Sequence, residues 1–160
     1  MKTITTTDVV GNPYEVETEK VSLSIHVYGI TVKGRKALIS PQFNGYDWPG
    51  GTLKIGEDIV TTLKREFKEE TGYEVQPIKI LGIYTSFFHH FKRNTDHQSI
   101  LIFYAVEIVG GEISTAGFDV DEKEYVKEAC WAKIDDLRKK RLACNLEIAA
   151  TASSSVAPGA

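Results

Sequence analysis

One segment of the chain, Glu57 to Thr71, carries a helical period, while the segments on either side of it read as strands. Val60, Leu63 and Phe67 recur at i, i+3 and i+7 and lay a narrow apolar stripe along one helix face. Asp58 stands where an N-cap belongs, and Gly72 where a left-handed residue closes a helix. Before this window, Leu23, Ile25 and Val27 alternate with Ser22, Ser24 and His26, the period of two of a half-buried strand. Lys33-Gly34 marks a turn and Lys36 to Ser40 a returning strand, which Pro41 ends. After the window, Val75 to Ser86 and Ser99 to Val109 predict two more strands, separated by a polar-aromatic loop. Ala129 to Lys133 predicts another strand, and Ile134 to Leu142 a second helix. The expected class is α/β: a single mixed sheet covered by helices.

The length, 160 residues, fits one domain, placed at residues 1–148. The last stretch, 149–160, holds only Ala, Ser, Thr, Val, Pro and Gly and is expected to be disordered. The formal charge is −3, from 19 Lys plus Arg against 22 Asp plus Glu. That balance speaks against binding a nucleic-acid polymer, which selects for a basic excess. The longest apolar run, Ile100 to Val106, is far too short for a membrane span, and the threonine-rich stretch from Met1 to Val10 lacks the apolar core expected of a signal peptide. Cys130 and Cys144 are too few for a disulfide framework and are expected to pack as small apolar groups. The expectation is a cytoplasmic protein.

The chemistry concentrates between Gly51 and Tyr73. Glu66, Glu69 and Glu70 stand three and four residues apart and project from neighbouring turns of one helix, beside the apolar stripe. Three carboxylates crowded there repel one another, and more so where water is partly excluded. Two readings are open: a solvated acidic face, or a site for a divalent cation. Clustered carboxylate oxygens suit Mg²⁺ or Mn²⁺, and the absence of His or Cys nearby argues against zinc. Arg65 can pair with Glu69 at i+4 and hold it in orientation.

The wider pattern decides between them. Gly51, five residues, Glu57, seven residues, then Arg65-Glu66-Phe67-Lys68-Glu69-Glu70-Thr71-Gly72-Tyr73 follows G-x5-E-x7-R-E-U-x-E-E-x-G-U, where U is bulky and apolar. A chance match somewhere in such a chain is on the order of one in ten million at typical residue frequencies, so coincidence is set aside. With this box the chain resembles the Nudix hydrolase superfamily, and Pro49-Gly50 leading in and the flanking strands agree. The resemblance implies an α/β/α sandwich, a mixed sheet flanked by helices. It implies Mg²⁺-dependent hydrolysis, with Mn²⁺ as an alternative ion, of a nucleoside diphosphate linked to another moiety. Carried onto this chain, it assigns the metal to Glu66, Glu69, Glu70 and the Gly51 carbonyl, with Glu57 close by. Glu66 is the expected general base, and a downstream Glu122 or Glu124 the alternative; Glu70 and Arg65 complete the catalytic set. A non-catalytic nucleotide-binding regulator is the competing function, although such modules usually lose box carboxylates. A homodimer is open too, with the N-terminal twenty residues as one contributor.

Several positions depart from the family pattern. Ser40-Pro41-Gln42 stands where many members carry Arg or Lys after the second strand, so Arg35, Lys92 and Arg93 become candidates for phosphate contacts, each with a solvated loop charge as the alternative. Tyr46 and Trp48 are the candidates for stacking a base, because they lead into the box. The loop Phe87 to Arg93 could also stack and touch phosphate; otherwise its phenylalanines anchor it and its histidines face water. Trp131 is expected in the core. Phe88 stands where many ADP-ribose hydrolases carry a proline, and His90 where dinucleoside polyphosphate hydrolases carry a tyrosine.

Overall fold

The computed structural model describes residues 1–42, 45–117 and 127–137. Glu122, Glu124, Cys144, the 149–160 tail and the expected continuation of the second helix to Leu142 lie outside them. In chain order the strands are β1 (Thr3–Thr7), β2 (Pro13–Glu17), β3 (Val21–Ile30), β4 (Val32–Lys33), β5 (Lys36–Gln42), β6 (Gly45–Asp47) and β7 (Gly50–Thr52). Helix α1 (Ile59–Thr71) follows, then β8 (Tyr73–His90), β9 (Thr95–Gly111), β10 (Cys130–Lys133) and the short α2 (Ile134–Leu137). No described helix is long and apolar enough to cross a membrane.

The class is mixed α/β, but the strands divide between two sheets where a single sheet was expected. One is six-stranded, in the order β2-β1-β8-β9-β3-β7; the other runs β10-β5-β4, with β6 on β5. Its members are joined by non-local pairings such as Trp131 with Leu38, which local periodicity cannot reveal. β3 lies parallel to β9 from Val21↔Asp96 to Ile30↔Ala105, and antiparallel to β7 on its other edge.

Helix α1 begins as read from the sequence. Asp58 accepts from the Thr61 N–H at 2.8 Å, and Gly72 closes the helix at φ 81° with its N–H on the Lys68 carbonyl. Leu63 and Phe67, both fully buried, bind α1 to the sheet together with Val27, Leu38, Val75, Val106 and Ala129. Truncating Phe67 to alanine would cost about 3–5 kcal/mol. The seat is close because Gly29 faces it: a Cβ there would come within 2.6 Å of the Phe67 ring. The second core cluster, Tyr28, Ile30, Ala37, Ile39, Trp48, Phe103 and Leu137, joins the two sheets.

The alternation in β3 is only half used. Val27 is buried under α1, but Leu23, on the same strand face, is 69% exposed because it lies beyond the helix. β8 and β9 run longer than predicted and pair from Tyr73↔Gly111 to His90↔Thr95, so the expected loop shrinks to a turn at 91–94. His89 does not face water. It is buried, stacks on Tyr14 at 3.8 Å between ring centroids, and donates from Nδ1 to Asp96 at 3.0 Å. Thr6 donates to the same carboxylate oxygen at 2.5 Å, fastening the β1–β2 hairpin to the β8–β9 pair. Within that hairpin region, Asp8 accepts from the Val10 and Asn12 backbone, from Asn12 Nδ2 and from the Tyr14 hydroxyl.

Candidate metal and catalytic site

The box residues meet where α1 passes the β7 edge of the large sheet. β7 places Gly51 opposite Val27, and the Glu66 carboxylate lies directly against it. A Cβ at position 51 would stand 2.6 Å from Glu66 Cδ and Oε2, so only glycine leaves that carboxylate its place.

Arg65 organises the cluster. Its Nε and Nη2 donate to the two oxygens of Glu57 at 2.7 and 2.8 Å, a bidentate pair. Nη1 donates to Glu66 at 2.7 Å and to Glu69 at 3.1 Å, and Nη2 also reaches the Thr52 carbonyl at 3.3 Å. The pairing with Glu69 at i+4 was foreseen; the larger roles of Glu57 and Glu66 were not. Thr62 Oγ1 adds a bond to Glu57 at 3.0 Å. The guanidinium holds the Glu57 carboxyl down to about 2, and Glu57 in turn raises the affinity of Arg65 for its proton.

Glu70 sits apart in a drier place. Its Oε2 accepts from Ser40 Oγ at 3.0 Å and from the Gly50 N–H at 3.1 Å, both buried bonds. Burial pushes its carboxyl well above the usual range; the Gly50 bond opposes this, and the Asp47 charge adds to it. Burial likewise raises Glu66, against the pull of Arg65. Three carboxylates thus share a single guanidinium and a fourth, Glu70, has none among the described residues, while Glu66 and Glu70 are biased toward the proton. Among the described residues no three metal-ligating side chains converge on one point; Arg65 stands between Glu57, Glu66 and Glu69. The donor set is nonetheless all oxygen, on a backbone cradle that a Cβ would fill, which is the chemistry of a hard divalent cation. Glu57, Glu66, Glu69, Glu70 and the Gly51 carbonyl are the groups available to it.

The remaining candidates fare differently. Trp48 is fully enclosed in the core between the sheets, its indole N–H without a hydrogen-bond partner among the described residues, and has no face to offer a base. Its apolar area is worth more in that core than beside the box. Tyr46 is half-buried and lines an open cavity of about 280 Å³ with Lys36, Trp131, Lys133 and Asp136. Arg35 is exposed at the β4–β5 turn and pairs with Asp135 at 2.6 Å. From there to Ser40 are five residues of strand, about 17 Å. Arg93 lies in the β8–β9 turn, where its N–H donates to His90 Nδ1 at 3.3 Å. Gly51 is level with Val27, and the turn begins beyond the level of Val21, so about 20 Å of strand separates them. Neither arginine is brought to the carboxylates. Trp131 is partly buried against the α1 core, as expected.

Reading the sequence missed Ser40, Gly50, Asp47 and Thr52. The signal for Ser40 was present as an anomaly, a small hydroxyl where a cation was expected. Its buried Oγ serves Glu70 and not a phosphate.

Comparison with known proteins bears on the family and the fold. An ADP-ribose pyrophosphatase from Methanocaldococcus jannaschii is 32% identical over 107 residues, 64% of this chain; the match spans 60% of that relative's length. Among solved structures, a NUDIX hydrolase from Nitrosomonas europaea has a TM-score of 0.58 at 19% identity, covering 84% of this chain and 90% of its own. An ADP-ribose pyrophosphatase from Streptococcus suis gives 0.58 at 18%, covering 85% and 94%. The MutT protein from Methanosarcina mazei gives 0.59 at 17%, covering 85% and 96%. At such identities these structures establish the fold alone. The NUDIX domain model matches residues 25–150, most of the chain and the whole of the carboxylate helix, and the chain belongs to that family.

Proposed function

We propose that the chain is a divalent-metal-dependent pyrophosphohydrolase acting on a nucleoside diphosphate linked to another moiety. Mg²⁺ is the expected ion and Mn²⁺ the alternative. The observation that carries this reading is the cluster of three carboxylates on one guanidinium with Glu70 buried beside it, built around a glycine that leaves room for Glu66. A bound divalent ion would screen the pyrophosphate and acidify a water.

The chain's own residues supply the rest. Glu66, raised by burial and adjacent to the Gly51 backbone, accepts the proton of the attacking water at its carboxylate. Oxygen adds to phosphorus, the anhydride P–O bond breaks, and two phosphorylated products leave. These are two phosphate monoesters from a diphosphate esterified at both ends, and a nucleoside monophosphate with pyrophosphate from a triphosphate. Arg65 holds Glu57, Glu66 and Glu69 in fixed directions, and Ser40 with the Gly50 N–H fixes Glu70. Most of the rate then comes from positioning and from charge set in place beforehand. The substrate class extends over nucleoside triphosphates, nucleotide sugars, dinucleotides and ADP-ribose. The M. jannaschii relative supports ADP-ribose, cleaved to AMP and ribose 5-phosphate, as the first to test.

The test is product release across such a panel, with Mg²⁺, Mn²⁺ or chelator, for the wild type and Glu70→Gln. Metal-dependent turnover that collapses in the variant is expected. Metal-dependent binding with no turnover of any panel member would replace the hydrolase reading with a nucleotide-binding one.

A further inference from the structure

β8 is paired with β9 along its whole length, but on its other side it meets β1 only at Thr7↔Phe88. Among the described residues, 73–86 therefore present an unpaired sheet edge, about 46 Å of strand. Folded proteins guard such edges with charges, prolines or bulges. Here Pro77 and the register shifts between Glu74 and Gly82 guard the first half. From Gly82 to Phe87 the ladder is regular, and Ile83-Tyr84-Thr85-Ser86-Phe87 holds no charge and no proline.

The large exposed apolar side chains gather on this strand: Ile78, Ile80, Ile83, Tyr84 and Phe87 all lie within ten residues of β8. They point to both sides of the sheet, since Ile83 shares a face with Ile102 and Tyr84 with Leu101. Exposure on both faces of one strand marks a missing neighbouring strand and not a missing layer. Between Val75 and His90, Lys79 is the only residue with a permanent charge. The edge thus offers nothing to attract a charged partner and little to repel its own copy.

We propose that β8 pairs antiparallel with β8 of a second copy, with the two-fold axis near Ile83, the most exposed large apolar side chain on the strand. Such an isologous contact joins the two six-stranded sheets edge to edge and sets Ile83 against Ile83 of the copy, with each Tyr84 opposite the other copy's Gly82. The regular ladder is short and the covered area falls at the low end of specific interfaces, so the dimer is reversible and concentration-dependent. The N-terminal hairpin, the segment expected to contribute, borders the contact at Phe88.

Sedimentation equilibrium of the full chain over a wide concentration range tests this, with thermal melts confirming that each variant is folded. The wild type is expected to pass from monomer to dimer. Ile83→Lys puts two ammonium groups beside the axis and should weaken association about tenfold or more. Leu23→Lys, at a still more exposed position but on β3 inside the sheet order, should leave it unchanged. Backbone amides of residues 83–86 should gain hydrogen-exchange protection as concentration rises. A monomer at every concentration, or a dimer undiminished by Ile83→Lys, would overturn the proposal.

Discussion

Two polar clusters fix distant parts of this molecule, and they are balanced in opposite ways. At the N-terminal hairpin, Asp8 and Asp96 are each surrounded by donors: Asn12, Val10 and Tyr14 for one, Thr6 and His89 for the other. Burial would raise both carboxyls, yet the hydrogen bonds outweigh it and hold both below their usual range. At the box, three carboxylates draw on Arg65 and a fourth, Glu70, has no cation among the described residues, and burial wins at Glu66 and Glu70. A cluster that satisfies its charges is a fastening. One left with excess negative charge is poised to take up a cation, and its stability suffers until it does.

The largest effects should separate the two clusters outright. Glu66→Gln is expected to cost turnover on the order of 10²–10³-fold, the scale of losing one charged catalytic group. Asp96→Ala should leave turnover nearly intact, yet lower stability by about 1–3 kcal/mol by stranding Thr6 and His89. Steady-state rates set beside thermal melts check both; an Asp96→Ala variant that loses turnover at full stability would erase the distinction. Next comes Arg65→Lys. An ammonium cannot reproduce the fork on Glu57 while reaching Glu66 and Glu69, so kcat/KM should drop about ten- to a hundredfold at preserved charge.

The pH response should carry opposite signs in the two regions. Asp8, Asp96 and Glu57 have folded values below their unfolded ones, so their contribution is present above the ordinary carboxylate range and is lost on acidification; for Glu57 it disappears as pH falls from 4.5 toward about 2. Glu66 and Glu70 lie above 4.5, so their contribution is present in acid and is lost as pH rises through the raised values. Metal-free Glu70→Gln should therefore melt higher than the wild type at neutral pH, with the difference shrinking toward pH 4. An unchanged difference across that range would mean that burial of the charge is not what limits stability there. The smallest expected effect is that of Trp48→Phe, below about 1.5 kcal/mol, since it trades a buried unpaired N–H for a small loss of volume. Its KM should not move; a large rise would return Trp48 to the substrate.

What the sequence disclosed was local. Asp58, Gly72 and the Leu63–Phe67 stripe define α1 through contacts within a few residues, and all of them recur in the structure. Glu66, Glu69 and Glu70 followed from spacing on that one helix, and Glu57 and Gly51 from the family resemblance. What stayed hidden depends on pairing between remote segments: the partnership of Ser40 with Glu70 thirty residues away, the division into two sheets, and the burial of Trp48. Arg35 and Arg93 were chosen for charge alone, and only strand register shows how far each lies from the box.

Gly29 offers no functional group, yet it is the gauge block under the carboxylate helix. The hydrogen it carries in place of a methyl sets how deeply Phe67 seats. Glu66, Glu69 and Glu70 ride on the same rigid rod, so a spacer added at position 29 would displace all three together relative to Gly51. Tolerances at the reacting atoms would thus be inherited from a residue with no chemistry of its own, and a search for inactive variants should find it among the acids.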